Sequence, residues 1–496
     1  MKSPASGFTK TSRCKSNNAS KTETQDPNRQ SHDLMNTSTL QDLCKAIGGR
    51  LKTDAPAPYG QPLGSVATDS RCVNPGDIFW ALRGLNHDGN DFVVEAFERG
   101  AAGAITSEPV EPPVGRWAIE ASDTQIALWN WARHKRLRFT GTLIAVTGSV
   151  GKTTTRQMIH TVLRRRLKGT ASLRNHNNHI GVPLSMLAIE PDHDYAVLEL
   201  GASGPGEIAA LAGLCAPKVG VITHVGDAHL GGFGSRRGVA EAKAELLASL
   251  PPDGQAVLVD DPWIRRIASR CRTPIVWVGR GADCDVSAEE VAGVGGRLAF
   301  RVDGCPFEIP VWGRHHLNGA LSAIAIGRML GLDLPEMAAS LSEFSPVPMR
   351  CEVVQMRGAT VINDAYNANP ASMRAALELV RDFDAPGRRI VVCGDMAELG
   401  DESSCCHFRL GGEVVTVCGA DLLIACGRFA RNVVDGARSA GMPNTRTIPC
   451  NTPEDALPFL GQAILPGDVV LVKGSRSMNM ERVVEAFRAY PRRRSA

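Results

Sequence analysis

Lys152 and Thr153 close the run Val146 to Thr154, VTGSVGKTT, which directly follows the apolar stretch Leu143-Ile144-Ala145-Val146. A buried strand that ends in glycines and opens into a helix turns backbone N–H groups and a helix N-terminus toward one point, which suits an anion. In such a loop the backbone from Thr147 through Gly148, Ser149, Val150 and Gly151 cradles phosphates, with Thr154 in the first helical turn. Lys152 reaches the β- and γ-phosphates of a nucleoside triphosphate and the Thr153 hydroxyl holds Mg²⁺. The spacing departs from the general phosphate-loop pattern, because Val146 stands five residues before Gly151 and the useful glycine is Gly148. A bare glycine turn is often only a strand-to-helix connection. Strand, double glycine and Thr together argue against that reading here.

Three further stretches carry metal-binding chemistry. Glu199 ends the strand-like run Tyr195-Ala196-Val197-Leu198 and precedes Gly201 and Gly206-Glu207-Ile208. A carboxylate at the carboxyl end of a parallel strand sits in the ligand crevice and can hold magnesium, the alternative being an ordinary strand-end Glu. The loop Thr223 to Ser235, THVGDAHLGGFGS, contains His224 and His229. A lone loop histidine is more often solvated, but this loop falls at the same sheet edge as the phosphates. Lys243 lies on the apolar helix stripe Val239, Leu246, Leu250, where an unpaired ammonium is expensive. Either its head snorkels to water, or its neutral amine is carbamylated by CO₂ and ligates a second metal.

These residues need a sizeable scaffold, and the composition supplies one. A chain of 496 residues is long enough for about three domains of ~150 residues each. Its 43% hydrophobic and 22% charged residues describe a globular protein without a membrane-spanning stretch. The net charge of +3 is carried by the first 33 residues, leaving the rest neutral, so nucleic acid is not an expected partner. Fourteen cysteines without a C-x-x-C pair read as reduced, cytoplasmic usage.

The pattern along the chain places the elements. Residues 1–33 read as a disordered extension, polar and without an apolar segment; a transit peptide is the alternative, against which Glu23 and Asp26 count. A helix capped at Ser38 and closed by Gly48-Gly49 carries Leu40, Leu43, Cys44 and Ile47. A small α/β unit follows over 34–119. After Pro109, Pro112 and Pro113 a helix bearing Ile126, Leu128, Trp129 and Ala132 opens a second unit, 120–345. There strand runs at Tyr195–Leu200, Val219–Thr223 and Ala256–Val259 alternate with helices, the rhythm of a parallel sheet. The prolines of FSPVP, Phe344 to Pro348, mark the next boundary. Strand runs at Ile390–Cys393, Leu422–Ala425 and Val469–Val472 then predict a Rossmann-like domain over 346–496. The fold class is therefore α/β in three domains: a small one, a central parallel-sheet ATPase-type domain, and a Rossmann-like one.

Beyond these local readings, the chain from about Leu34 onward resembles the Mur ligases, the ATP-dependent amide-forming enzymes of bacterial peptidoglycan precursor synthesis. TGSVGKTT resembles that family's variant phosphate loop. NHNNHIGVPL (Asn175 to Leu184), ELGASGPGEI, VGDAHLGGFGS, AEAKAEL and GRHHLNGALSAIA (Gly313 to Ala325) follow in the family's order. INDAYNANPASMRAAL (Ile362 to Leu377), CGDMAELG (Cys393 to Gly400) and VKGSRSMNMERVV (Val472 to Val484) resemble the segments of the member that handles D-alanyl-D-alanine. The DNPR motif expected of the ligase that adds the third amino acid is absent.

The resemblance implies ATP and Mg²⁺ as cofactors, with UDP-N-acetylmuramoyl-tripeptide and D-alanyl-D-alanine joined through an acyl phosphate by a cytoplasmic monomer. It implies that Thr153 and Glu199 hold one Mg²⁺ and that His229 and carbamylated Lys243 hold a second. Lys152, Lys243 and His229 are the implied catalytic residues, Asn318 meets the adenine, and Arg350 and Asp364 contact phosphate and ribose. Ser70 and Arg71, in ATDSRCVNPGDIFWALRG (Ala67 to Gly84), are implied to bind the UDP-sugar; as turn residues in a hairpin they read equally well. Asn367 and Asn369, within YNANP, are implied to meet substrate, or form a turn into a helix beginning near Ser372. Lys473 is expected in a loop approaching the site. His176 and His316 depart from the family pattern, standing where Tyr or Phe and Asn are frequent. A different ligase of the superfamily, such as a folylpolyglutamate synthase, is the nearer alternative. A GTPase-type switch is the farther one, against which the lack of an NKxD signature speaks.

Overall fold

The computed structural model describes residues 38–489 apart from 55, 57, 58, 85, 174, 384 and 385. The expected extension over 1–33 lies outside the described residues.

The first sheet has the order β1-β5-β4-β3-β2, from β1 (Arg50–Thr53), β2 (Val66–Ala67), β3 (Ile78–Trp80), β4 (Gly103–Thr106) and β5 (Trp117–Glu120). Only the β1–β5 pair is antiparallel. Ile78, Trp80, Ile105, Trp117 and Ile119 form its core with Leu40 and Leu43 from the helix Leu40–Ile47. That helix is capped by Thr39 rather than Ser38. The Thr39 hydroxyl accepts the Asp42 N–H at 3.3 Å, and the Asp42 carboxylate accepts the Thr39 N–H at 2.9 Å, a reciprocal capping box that Ser38 is one residue too early to make.

The helix Thr124–Arg138 buries Ala127, Leu128, Trp131 and Ala132 and leaves Ile126 60% exposed. The sequence names Ile126 with Leu128, Trp129 and Ala132 on this helix without assigning it a face. The Ile126 N–H is held by the cap Asp123 at 2.8 Å, and Ala127, Leu128 and Trp131 join the first core. The expected boundary between 119 and 120 falls inside β5, and this helix bridges the first two sheets.

The second sheet is all parallel in the order β12-β11-β10-β9-β6-β8-β7. Its strands are β6 (Thr142–Thr147), β7 (Gly169–Ala171), β8 (Tyr195–Glu199), β9 (Val219–Ile222), β10 (Gln255–Val259), β11 (Ile275–Gly279) and β12 (Val286–Ser287). The chain leaves β6 toward β8 on one side and later returns to β9 on the other. Loops after β6, β8 and β9 therefore splay around one crevice at their carboxyl ends, the expected ligand position of such a sheet. A small antiparallel sheet of β13 (Glu289–Val294), β14 (Arg297–Val302) and β15 (Cys305–Ile309) is appended, which the βα rhythm did not announce. Leu298, Phe300 and Val302 alternate inward from β14 against Phe307 and Ile309.

The third sheet runs β16-β17-β21-β18-β19-β20, from β16 (Glu352–Met356), β17 (Ala359–Asp364), β18 (Arg389–Cys393), β19 (Leu422–Cys426), β20 (Thr447–Cys450) and β21 (Val469–Lys473). Its pairs are parallel except β16–β17. The helix expected near Ser372 begins at Pro370. Asn369 accepts the Ser372 N–H at 2.9 Å while the Ser372 hydroxyl accepts the Asn369 N–H at 3.0 Å, and Pro370 fits the first helical position, where no N–H is needed.

Candidate active site

The phosphate loop forms as its residues require. Gly148 (φ +150°) and Gly151 (φ +86°) take backbone conformations that side chains rarely adopt, and a Cβ at Gly148 would lie 2.1 Å from Thr223 Oγ1. The loop is tied to the strand end of β9: the Ser149 N–H donates to the His224 carbonyl at 2.9 Å and Thr223 Oγ1 to the Val150 carbonyl at 2.6 Å. Gly151 caps the helix Lys152–Leu163, whose dipole and free N–H groups point at the crevice. Lys152 Nζ folds back onto the Gly148 carbonyl at 2.7 Å. Burial pushes its ammonium below the ordinary lysine range, with Glu199 pulling the other way.

At the end of β8, Glu199 is 2% exposed. Thr153 Oγ1 donates to its Oε2 at 2.8 Å and Asn177 Nδ2 to its Oε1 at 2.8 Å. Both donors are neutral, so both carboxylate oxygens are hydrogen-bonded without a contacting cation. The hydroxyl and carboxylate are hard oxygen donors of the kind Mg²⁺ takes. Residues of the third sheet face this pair. Arg350 Nη2 donates to Thr153 Oγ1 at 3.0 Å, and the guanidinium stacks 4.2 Å over the Tyr366 ring. Among the described residues Arg350 Nε and His224 Nδ1 are buried without hydrogen-bond partners, and buried polar atoms of this kind suit a polar ligand. Lys473 is the last residue of β21, buried, not in a loop as expected. It donates to Asp364 Oδ2 at 2.6 Å and to the Asn367 carbonyl at 2.8 Å.

Around these groups lies a cavity of about 540 Å³ lined from both the second and third sheets. It gathers Ser149, Val150, Gly151, Lys152, Thr153, Thr154, Glu199, His229, Asn318, Arg350, Asp364, Asn367 and Asn369. Asn369 Nδ2 also spans to the Ser149 carbonyl at 3.4 Å, so one side chain both caps its helix and touches the phosphate loop. Thr147 is fully buried below the loop, its hydroxyl on the Leu200 carbonyl at 2.8 Å, and neither it nor Gly148 lines the cavity.

His229 stands at φ +54°, a left-handed conformation that is uncommon for a side-chain-bearing residue. Its Nδ1 meets the Glu398 carboxylate of the third domain, leaving Nε2 as the free ligand atom. Lys243 is 2% exposed with its Nζ 5.4 Å from the Phe233 ring centroid. It makes no hydrogen bond or ion pair among the described residues, so the snorkelling alternative is not how it sits. Burial, reinforced by Lys152, pushes its ammonium down to about 7.

Ser70 and Arg71 stand apart from the cavity. They belong to a short 3-10 helix, Ser70–Cys72, rather than a hairpin. The Ser70 hydroxyl donates to Glu95 at 2.8 Å, while Arg71 pairs with Asp69 at 2.8 Å with 78% of its side chain exposed. Sequence reasoning passed over Asn177, Tyr366, His315 and Cys351 as site residues, all of which line the cavity. Asn177, Tyr366 and His315 lay within the quoted NHNNHIGVPL, INDAYNANPASMRAAL and GRHHLNGALSAIA segments, where their neighbours were singled out instead; Cys351 lay outside every quoted segment.

A three-domain α/β chain with a phosphate loop facing a second domain's cations is, by fold and site, a nucleotide-dependent enzyme that works between its domains. Family models match in chain order: "Mur ligase family, catalytic domain" over 63–138, "Mur ligase middle domain" over 146–327 and "Mur ligase, glutamate ligase domain" over 349–476. The chain belongs to the Mur ligase family. It is 34% identical to the UDP-N-acetylmuramoyl-tripeptide--D-alanyl-D-alanine ligase of Bacillus subtilis, over 90% of this chain and 97% of that protein. The ligase of that name from Escherichia coli is also 34% identical, over 90% and 98%. Among solved structures, MurF from Acinetobacter baumannii superposes with a TM-score of 0.81 at 31% identity, covering 91% of this chain and 99% of the other. MurF ligase from Thermotoga maritima in complex with ADP gives 0.73 at 29%, covering 86% and 97%.

Proposed function

We propose that the protein is an ATP-dependent ligase that joins D-alanyl-D-alanine to UDP-N-acetylmuramoyl-tripeptide, a step of peptidoglycan precursor synthesis. The observation that carries the reading is the confrontation of Lys152, Thr153 and Glu199 with Arg350 and Lys473 across one cleft, in a chain similar over nine-tenths of its length to ligases of that name. The region 34–119 holds the UDP-sugar, with Ser70 and Arg71 as its contacts, 120–345 holds ATP and 346–496 the dipeptide. No helix among the described residues is long and apolar enough to cross a membrane; we propose that the protein acts in the cytoplasm, as a monomer and without a nucleic-acid partner.

The tripeptide's terminal carboxylate oxygen attacks the γ-phosphorus of ATP; the bond to the β–γ bridging oxygen breaks and ADP leaves, giving an acyl phosphate. The dipeptide amine then attacks the acyl carbon, a tetrahedral intermediate collapses, and phosphate leaves as the amine loses its proton. Lys152 and the loop N–H groups hold the β- and γ-phosphates, and Arg350 faces the transferring group, so charge that develops there meets preorganised donors. Asn318 orients the adenine and Asp364 the ribose, while Asn367 and Asn369 position the acceptor. Thr153 and Glu199 would hold one Mg²⁺ and His229 with carbamylated Lys243 a second; bound there, the ions offset the repulsion between the reacting anions. The Lys243 amine, with its proton held loosely at about 7, adds to CO₂ and releases a proton to become a carboxylate. Closure of the third domain over the cleft shields the acyl phosphate from water.

The test is ATP-dependent phosphate release with UDP-N-acetylmuramoyl-tripeptide, with and without D-alanyl-D-alanine, the product followed by mass. Release that requires both substrates, with a product heavier by one dipeptide less water, is expected. Release indifferent to the dipeptide would overturn the acceptor.

A further inference from the structure

We propose that His315, His316 and Cys351 form a three-ligand site for a divalent cation of the zinc class, placed where the second and third domains meet. One donor atom from each side chain lies within 4.8 Å of the others, and Cys351 Sγ stands 3.7 Å from His315 Nε2. Metal bonds of about 2.3 Å to sulfur and 2.0–2.1 Å to nitrogen, set tetrahedrally, require a sulfur–nitrogen edge of about 3.6 Å. The observed edge needs almost no adjustment.

The backbone prepares this arrangement. The Cε1–Nδ1 edge of the His315 ring lies against Gly313, where a Cβ would come within 2.4 Å of Cε1 and 2.5 Å of Nδ1, while Nε2 faces Cys351 Sγ. His316 packs beside it with ring centroids 4.1 Å apart, and its ring nitrogens have no hydrogen-bond partner among the described residues. Cys351 is buried and its N–H is fixed by Asp364 Oδ1 at 3.1 Å. Two imidazoles and a thiolate are soft to borderline donors that select zinc over magnesium. The Thr153 and Glu199 oxygens are of the opposite preference, so one cleft presents two chemically distinct cation sites. As the metal–sulfur bond forms, the thiol proton leaves to solvent.

The placement gives the site a consequence. His315 and His316 end the turn before the helix Leu317–Met329, three and two residues ahead of Asn318, whereas Cys351 opens the third domain. A bound ion would pin the two domains together. It would also occupy the cavity beside Asn318, so that metal and nucleotide exclude each other; this last step alone rests on the reading of Asn318 as the adenine contact.

The nucleotide-free full chain titrated with Co²⁺ tests the site. Wild type is expected to take up one equivalent showing near-ultraviolet thiolate-to-cobalt absorption, bleached by Zn²⁺ and unaffected by millimolar Mg²⁺. Cys351→Ser should lose that absorption despite the chain's other cysteines. His316→Asn keeps the thiol and should weaken cobalt binding at least about tenfold; it decides the matter if the serine variant fails a melting control. Absorption retained by Cys351→Ser, or equal cobalt affinity of His316→Asn and wild type, would overturn the site. ADP should raise the apparent Kd for cobalt; an unchanged Kd would overturn the exclusion and leave the site standing.

Discussion

Arg350, two residues before β16, donates its Nη2 to the Thr153 hydroxyl of the phosphate loop across 197 positions of sequence, at 3.0 Å. The hydroxyl thus takes a cation from the third domain on one side and gives its proton to Glu199 on the other. In the proposed reading, nucleotide binding and domain closure share this atom. Removing the guanidinium should disable both. Arg350→Ala is expected to lower kcat/KM by about 10²- to 10³-fold, the usual cost of one preorganised donor, and to raise the Kd for ADP. Activity within about threefold of wild type would refute a role at the transferring phosphate.

The contact of His229 with Glu398 is the corresponding link to the second implied ion. A carboxylate on one imidazole nitrogen orients the other as a ligand, and its loss commonly lowers metal affinity or activity about 10- to 100-fold. Glu398→Gln should reduce kcat in that range and raise the Mg²⁺ concentration needed for half-maximal rate, with ADP affinity unchanged. An unaltered magnesium dependence would show that Glu398 acts elsewhere.

Lys243 makes stability depend on pH in a defined direction. Its proton is held at about 7 in the folded chain against an ordinary value of 10.5. Between those values the unfolded chain binds a proton that the folded chain lacks, so this residue's contribution rises with pH through that window. Below pH 7 the penalty is fully present, up to about 5 kcal/mol. In CO₂-free buffer Lys243→Met should therefore stabilise the chain most near pH 6–7 and progressively less toward pH 10.5. Melting midpoints of both proteins across that range provide the check, and a pH-independent difference would contradict it.

Lys473 and Asp364 form a buried ion pair, 2.6 Å apart at the ends of neighbouring parallel strands. Removing one partner strands the other's charge. Lys473→Met alone should destabilise the third domain by about 3–5 kcal/mol, whereas Lys473→Met with Asp364→Asn should recover much of the loss. Chemical denaturation of the single and double variants measures this, and additive losses would mean that the two groups are not coupled.

The phosphate loop, Glu199, the principal strands of the second and third sheets and the buried position of Lys243 were legible because each is encoded locally. A glycine that must take positive φ, an apolar run of strand length, or a lysine on a helix stripe announces itself within a few residues. Other features were misjudged or undecided where two local solutions compete. Ser38 and Thr39 are both good caps, and only the position of Asp42 selects the second. Ile126 fits an apolar stripe equally well on either side of Leu128, and the neighbouring core turned it outward. Ser70 and Arg71 came as UDP-sugar contacts from the resemblance and not from a local pattern, and that reading stands as a proposal; in the first domain Ser70 meets Glu95 and Arg71 meets Asp69.

The sequence by itself determined which residues have the chemistry to hold a nucleotide and which segments become strands, since both depend on neighbours in the chain. Tertiary structure alone decided which of these groups meet. Thr153 with Arg350, His229 with Glu398, Lys473 with Asp364 and His315 with Cys351 are joined only when separate strands end at the same crevice. Such pairings follow from strand order and from the packing of one domain against another. Those are properties of nonlocal contacts, and no window of residues along the chain contains them.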